Sequence, residues 1–305
     1  MTAELELTSS PRILAGTRAD VQVTVYRDGK AATPSGTLTF SAADADGTVV
    51  ASGTPTTPTG TTGVLSAVLT AAQLTSVNDL TITWGGLVFD SEPAVSLTSH
   101  VEVVSAFLFT EPEARAFDGG TLKEVTAFPS AAILQARDAI TEAFEDILGY
   151  RLGLQFVREI RDGDGTDTIY LRETKHVWSL RAASIRTTGS STWTALTSGQ
   201  LALTFVGGNG RVTREDGNVW TAGKDNIRLS YEAGATPIPR ELKRAALLVA
   251  AQQLPAYNGS RRTTTMSNED GTFILATPGI RGSYFGIPEA DEVLHRLSRK
   301  LPVFA

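Results

Sequence analysis

The segment Asn226–Gln253 constrains the fold of this 305-residue chain more than any other. Apolar and polar residues alternate over Ile227–Tyr231, which is the period of a β-strand with one buried face. Gly234 breaks that pattern, and Pro239 suits the first position of a helix, where its missing N–H costs nothing. Apolar residues at helical spacing then continue until Pro255. The segment predicts a strand, a glycine turn and an amphipathic helix, without a catalytic motif.

Charge is distributed unevenly along the chain. Residues 1–105 contain four Lys/Arg and ten Asp/Glu, whereas residues 106–305 contain 23 of each. This asymmetry, together with a length above that of most single domains, predicts two domains, 1–105 and 106–305. The formal net charge of −6 disfavours tight DNA binding, which needs clustered Lys and Arg.

Residue usage excludes several kinds of site. The chain has no cysteine, which excludes disulfides, thiolate nucleophiles and cysteine-ligated zinc. Its three histidines are far apart and lack metal-ligand spacing. Apolar runs are too short for a membrane span, and the first residues lack the basic and apolar regions of a signal peptide. We therefore expect no enzyme activity, no cofactor and no membrane partner.

Residues 1–105 are predicted to be all-β. Short alternating runs such as Val21–Val25 are separated by turn signals such as Arg27–Lys30, which is typical of a sandwich or barrel. In pattern and composition this half resembles the immunoglobulin-like modules that are appended to phage virion proteins. Any other small β-sandwich fits the pattern equally well. The Thr-rich sequence and Trp84 also fit an alternative function, a carbohydrate- or cell-surface-binding adhesin.

Residues 106–254 mix helical and strand patterns. Thr110 and Glu113 have capping-box spacing, and Ser130 is placed to cap a second helix that ends at Gly149. Strand patterns occupy 153–231. Between two of these strands, the sequence Asp162-Gly163-Asp164-Gly165 resembles a calcium loop but has Asp167 where such a loop needs glycine, so a hairpin turn is the better interpretation.

The C-terminal part combines an irregular segment with a last helix. Residues 256–286 are rich in Ser, Thr, Asn and Gly and are predicted to form a flexible arm. The sequence Gly286-Ile287-Pro288-Glu289-Ala290-Asp291 then begins a C-terminal helix at 288–300.

The order of elements over residues 107–305 resembles tailed-phage head–tail connectors. This order is a helix, a hairpin with further strands, a strand-Gly-Pro-helix unit, and a closing Gly-Ile-Pro-Glu-x-Asp-x-x-Leu. The closing segment resembles the head-to-tail adaptors of siphoviruses that infect actinobacteria. The resemblance implies an α+β protein whose N-terminal all-β immunoglobulin-like sandwich is followed by a mainly helical connector domain with an inserted β-hairpin or small antiparallel sheet.

The resemblance also implies a structural function. Similar proteins form a homo-oligomeric, twelvefold ring below the portal protein, join it to the next neck, stopper or tail-terminator protein, and extend the channel for double-stranded DNA. Such a protein is made in the host bacterial cytoplasm and lies in the virion neck. Apolar helix positions would form the subunit and portal contacts. These positions are Ile140, Phe144, Ile147, Leu242, Val249, Val293, Leu294 and Leu297.

Basic residues in the last part of the chain are candidates for contact with the portal or with passing DNA, although ordinary solubility explains them equally well. Cations near the start of a helix are slightly disfavoured by its dipole, which suggests a partner. DNA contacts would have to be weak and independent of sequence to permit transit. The candidates are Arg240, Lys243, Arg244, Arg261, Arg262, Arg281 and Arg296.

Overall fold

The computed structural model describes residues 3–90, 92–173, 175–187, 189–207, 209–254, 265–268, 271–274 and 284–298. The chain forms two compact units, each built from two chain segments. One, the β unit, comprises Met1–Ala106 and Gly153–Ala235. The other, the helical unit, comprises Phe107–Leu152 and Thr236–Ala305. The predicted domain boundaries at 105 and 106 stay predictions.

The chain is mostly β, with 38% of residues in strands and 22% in helices. The expectation of a mainly helical domain after the N-terminal sandwich is therefore wrong. The reason lies in residues 153–235, where period-two alternation builds two sheets with their own apolar core instead of a small insertion. The immunoglobulin-like description of the N-terminal part stays a prediction.

The first 104 residues fold into two sheets. Their strands are β1 Ala3–Leu7, β2 Arg12–Leu14, β3 Ala19–Arg27, β4 Lys30–Ala31, β5 Thr39–Ala43, β6 Val49–Gly53, β7 Val64–Leu69, β8 Asn78–Leu87 and β9 Val95–Val104. One sheet has the order β1-β3-β4, with β7 also paired to β3, and the other has the order β2-β9-β8-β5-β6. Only β2 and β9 pair in parallel among these strands.

Alternation along the strands builds the sandwich core. Val21, Val23 and Val25 of β3 are fully buried in one cluster with residues of the facing sheet. Trp84 of β8 is also fully buried, and its indole N–H donates to the Ser99 hydroxyl at 2.9 Å. Burying a side chain of this size contributes several kcal/mol, roughly 25 cal/mol per Å² of apolar area.

Seven further strands complete the β unit. They are β10 Gln155–Gly163, β11 Thr168–Tyr170, β12 Val177–Ile185, β13 Thr194–Ala195, β14 Thr204–Val206, β15 Arg211–Arg214 and β16 Gly223–Ala233. One sheet has the order β10-β16-β12-β13, and the other has the order β11-β15-β14. Ile227, Leu229 and Tyr231 of β16 are fully buried in their shared core beside Trp220.

The predicted hairpin across residues 162–165 is not formed. β10 pairs with β16, whereas β11 pairs with β15 in the other sheet. The turn therefore carries the chain from one sheet to the next. β10 pairs with residues 60–78 positions later in the sequence, and β11 pairs with residues 41–45 positions later. A local turn signal does not reveal pairings of this separation.

The described residues contain five α-helices, a short 3-10 helix at Asp118–Gly120 and one more strand pair. The helices are α1 Glu111–Ala116, α2 Ser130–Leu148, α3 Ser198–Ala202, α4 Arg240–Gln253 and α5 Pro288–Ser298. The pair consists of β17 Thr265–Asn268 and β18 Gly271–Ile274. α3 lies in the β unit, and the other four helices lie in the helical unit. Thr110 and Glu113 form the capping box of α1, and Gly149 ends α2 in the left-handed conformation.

Two glycines lie where chain segments of the β unit approach closely. A Cβ on Gly234 would be 1.8 Å from the carbonyl oxygen of Gly153, and a Cβ on Gly153 would be 2.8 Å from that of Ala106. The Gly153 N–H donates to the Ala235 carbonyl at 3.0 Å. Gly234, which ends the strand pattern within Asn226–Gln253, is thus required by backbone packing.

Candidate interaction surfaces

Most predicted interface positions lie in the core of their own helical unit. Five are buried: Ile140, Phe144, Leu242, Val249 and Leu294. Three are half-buried: Ile147, Val293 and Leu297. The half-buried residues have surface left to offer a partner, whereas the buried ones stabilise the fold on which any such contact depends. A role for any of the eight in contacts with another protein stays a prediction.

The predicted basic positions occupy the start of α4 and the exposed side of α5. Arg240 and Arg244 are exposed, and Lys243 is half-buried. Arg244 lies 3.7 Å from Glu289, and Arg296 forms an ion pair with Glu241. Because these pairs are exposed, each contributes little to stability and leaves its cation accessible. Arg261, Arg262 and Arg281 lie outside the described residues.

A carboxylate and a guanidinium hold the connection between α1 and α2. Arg115 pairs with Glu111 at 2.8 Å and donates to the carbonyls of Leu122 and Phe128, both at 3.0 Å. The Ser130 hydroxyl donates to Glu111 at 2.7 Å. The Ser130 hydrogen bond and then the one from Arg115 lower the pKa of Glu111. Ser130 therefore tethers α2 to α1 and does not cap α2, whose N-cap is Pro129.

The closing segment of the chain is organised by one buried carboxylate. Asp291 accepts hydrogen bonds from the backbone N–H groups of Tyr284, Phe285 and Gly286, at 3.1, 2.8 and 3.1 Å. The Phe285 ring packs on Phe144 of α2, with ring centroids 5.4 Å apart. Asp291 lies in the first turn of α5, where the helix dipole favours negative charge. This geometry explains the aspartate in the Gly-Ile-Pro-Glu-x-Asp sequence.

Asp291→Ala is expected to destabilise this segment by about 2–3 kcal/mol, because three N–H donors lose a charged acceptor. Hydrogen exchange should show the amides of Phe285 and Gly286 losing protection. Glu292→Ala is the control, since Glu292 is exposed on the same helix. Unchanged protection in the Asp291 variant would contradict the assigned role.

A buried ion pair lies within α2. Arg137 contacts Asp138 at 2.8 Å, and its guanidinium lies 3.7 Å from the centroid of the Phe107 ring. Both charged side chains are almost fully buried. Periodicity gave no indication of this pair, because charged residues are normally assigned to the solvent side of a helix. Removing either residue would take a compensating charge away from a buried ion.

The aspartates of the sequence that resembles a calcium loop stabilise turns. Asp164 accepts hydrogen bonds from the Thr166 N–H at 2.9 Å and hydroxyl at 2.7 Å, and these bonds lower the pKa of Asp164. Asp162 accepts the N–H of Asp225 at 2.6 Å. Among the residues that the structure describes, no group of three or more His, Asp or Glu side chains could hold a metal ion.

Glu159 of β10 is a buried acid that caps a neighbouring segment. Its two carboxylate oxygens accept the Arg172 N–H at 3.0 and 3.2 Å. Burial raises the pKa of Glu159, and the Arg172 hydrogen bond and nearby arginines only partly oppose this effect. The folded state therefore binds a proton at a higher pH than the unfolded state does.

Stability should consequently fall as pH rises from the ordinary Glu pKa of 4.5 through the raised folded pKa, and then level off. Glu159→Gln removes this dependence, so its stability relative to wild type should increase over the same window. Urea unfolding followed by tryptophan fluorescence between pH 4.5 and 8 measures the difference. Glu215→Gln, at an exposed position, is the control. Parallel pH profiles for wild type and Glu159→Gln would rule out the effect.

Sequence periodicity does not indicate the contacts that arginines make on one face of the β10-β16-β12 sheet. Arg158 forms an ion pair with Asp46 and donates to the Ala45 carbonyl. Arg181 pairs with Glu232 and donates to the Val77 carbonyl at 2.7 Å. Both guanidiniums lie within 6 Å of the Phe156 ring centroid, at 5.6 and 5.8 Å. These contacts join the second pair of sheets to the N-terminal sandwich within the β unit.

None of the helices that the structure describes is long and apolar enough to cross a membrane. No protein-family model matches the sequence, and no curated protein is significantly similar to it.

Two solved structures similar to this chain are neck proteins of phage-like gene transfer agent (GTA) particles. One is described as "Neck of empty GTA particle computed with C6 symmetry"; it is 17% identical, with a TM-score of 0.35 and coverage of 47% of this chain and 73% of that chain. The other is described as "Neck of native GTA particle computed with C12 symmetry"; it is 15% identical, with a TM-score of 0.37 and coverage of 54% and 88%. At these TM-scores neither match establishes a shared fold or function.

Proposed function

We propose that this chain is a structural, non-enzymatic protein of the head–tail neck of a phage or phage-like particle, and that it assembles into a homo-oligomeric ring below the portal. The observation that carries the proposal is the closing segment at 284–291. This segment has an adaptor-like sequence and is an ordered part of the helical unit. The Asp291 carboxylate accepts backbone hydrogen bonds from it, and the Phe285 ring packs on α2.

The proposed mechanism is geometric. The helical unit would supply the portal contacts and part of the ring contacts, through the half-buried apolar positions of α2 and α5 and the exposed cations at the start of α4. A ring of identical subunits requires heterologous contacts, in which one surface of a subunit binds a different surface of its neighbour. The ring would continue the DNA channel and bind the next neck or tail protein on its far side. Twelvefold symmetry belongs to this proposal and rests on the sequence resemblance alone.

The adhesin alternative loses one of its two supports, Trp84, and keeps the Thr-rich sequence. Trp84 is fully buried and donates its N–H to Ser99 inside the sandwich. It therefore cannot stack on a sugar unless the core opens. The two GTA neck structures are too dissimilar to add weight to the neck proposal.

The decisive experiment measures the mass of the purified protein, alone and with the portal protein of its particle, by light scattering with negative-stain imaging. We expect a ring, either spontaneous or dependent on the portal. Arg240→Glu should weaken portal binding, whereas Arg211→Glu, an exposed charge reversal in the β unit, should not. A wild-type monomer that is indifferent to the portal would refute the proposed function.

A further inference from the structure

Two arginines of the β unit share one tryptophan ring and have no acidic partner among the residues that the structure describes. The guanidinium carbons of Arg186 and Arg228 lie 4.5 and 4.9 Å from the Trp193 ring centroid. Arg186 donates to the carbonyls of Asp225 and Ser190, at 2.9 and 3.3 Å. Arg228 has a long contact, 3.5 Å, with the Ser184 hydroxyl. Among the described residues, neither arginine forms an ion pair.

This arrangement differs from that of three other arginines in the same unit, each of which has an acidic partner. Arg12 lies 3.0 Å from Glu102, Arg27 lies 2.9 Å from Glu92, and Arg214 lies 2.5 Å from Asp216. Bringing two guanidiniums to one ring without a carboxylate raises their mutual repulsion, which an acidic partner would offset. The indole and the backbone carbonyls hold both cations in position before such a partner arrives.

The same sheet face already binds an acidic turn within the chain. Arg158, beside Phe156, binds the Ala45 carbonyl and the Asp46 carboxylate of the N-terminal sandwich. Residues 158 and 160 lie two apart on β10, and Ile160 is the cross-strand partner of Arg228. The Arg–aromatic combination is therefore repeated farther along this face, where Ile160 is 46% exposed.

We infer that Arg186, Trp193 and Arg228, with the exposed Ile160 beside them, form a protein-binding site for the acidic sandwich of a second copy of this chain. Charge complementarity selects this occupant, because residues 1–105 contain ten acidic and four basic residues. Glu4 and Asp79 are among the exposed carboxylates available there. Arginine, tryptophan and a neighbouring aliphatic side chain are typical of interface hot spots. The inference rests on the proposed ring and names one contact between its neighbouring subunits.

Charge reversal tests the site. Arg186→Glu and Arg228→Glu should each weaken subunit association roughly tenfold or more, as measured by sedimentation velocity over a concentration series. Association of the wild type should weaken with added salt, and that dependence should diminish in both variants. Arg211→Glu, an equal charge change at an exposed position on the other sheet, is the control. Tryptophan fluorescence checks that each variant is folded.

Crosslinking tests the site in a chain that keeps Arg186, Trp193 and Arg228, so its result does not depend on whether the charge-reversal variants fold. Because the chain has no cysteine, Thr192→Cys introduces a unique thiol on an exposed residue next to Trp193. A photo-crosslinker attached there should capture peptides from residues 3–104 of a second copy. Capture of the helical unit or of added duplex DNA would overturn the inference.

Different results would refute the proposed ring and the proposed contact at Arg186, Trp193 and Arg228. Wild-type rings that are unaffected by Arg186→Glu and Arg228→Glu, and that give no crosslink to a second sandwich, would overturn this inference alone. A wild-type chain that remains monomeric with the portal and gives no crosslink between copies would overturn the ring as well.

Discussion

Replacing Gly234 by alanine is expected to destabilise the β unit by about 4 kcal/mol or more, combining backbone strain with steric overlap. Gly234 has a φ of +140°, which L-residues rarely adopt, and an added Cβ would lie 1.8 Å from the Gly153 carbonyl oxygen. Because that neighbour is backbone, no side-chain rotation can relieve the overlap. The chain must move where β16 leaves the sheet, so the buried pairing of β16 with β10 should weaken.

Tryptophan fluorescence reports this change directly. All four tryptophans lie in the β unit, and the Trp178 N–H donates to the Gly234 carbonyl at 2.9 Å. Gly199→Ala is the matched control, since no atom lies within 4 Å of the added Cβ and the residue is in α3. It should stabilise the protein by about 0.4–1 kcal/mol. Equal urea midpoints for wild type and Gly234→Ala would contradict the packing argument.

The alternation of apolar and polar residues correctly predicts the strand over Ile227–Tyr231. A strand with one buried face has this period of two residues whatever covers that face. Ile227, Leu229 and Tyr231 are all fully buried on β16. The pattern did not reveal that β10 and β12 flank β16 or that β11 belongs to another sheet. Strand pairing over tens of residues depends on the whole core, and no turn signal encodes it.

The apolar stripes of the helices illustrate a different limit. Their spacing showed that Ile140 and Phe144 must be buried, but a stripe that packs on its own chain has the same period as one that packs on a neighbouring subunit. The structure buries both within the helical unit. The assignment of a mainly helical second part came from the resemblance and outweighed the strand patterns over 153–231. The structure has strands over much of that range, but Ser198–Ala202 is the helix α3.

The candidate site around Trp193 had no sequence signal. Arg186 and Arg228 are 42 residues apart, and they share one ring because β12 pairs with β16, with Ser184 opposite Arg228. Arg137 and Asp138 were equally inaccessible to pattern analysis, since adjacent opposite charges on a helix usually face solvent. Both cases depend on side chains that tertiary packing brings together or buries.

Phe144→Ala is expected to destabilise the helical unit by about 3–5 kcal/mol and to abolish ring formation. Phe144 is fully buried on α2 and packs on Phe285, so its truncation leaves a cavity beside the segment that Asp291 organises. Helical circular dichroism should decrease at a lower urea concentration than in wild type. Tryptophan fluorescence should be unchanged, because the helical unit contains no tryptophan.

Phe205→Ala supplies the same substitution at a residue that is 52% exposed, and it should change stability by no more than about 0.5 kcal/mol. The paired measurements also separate the two roles of Phe144. Loss of rings together with loss of helical signal would place its contribution within its own subunit. Loss of rings from a fully helical, equally stable variant would instead mean that Phe144 contacts a neighbouring subunit, as its position in the apolar stripe predicted.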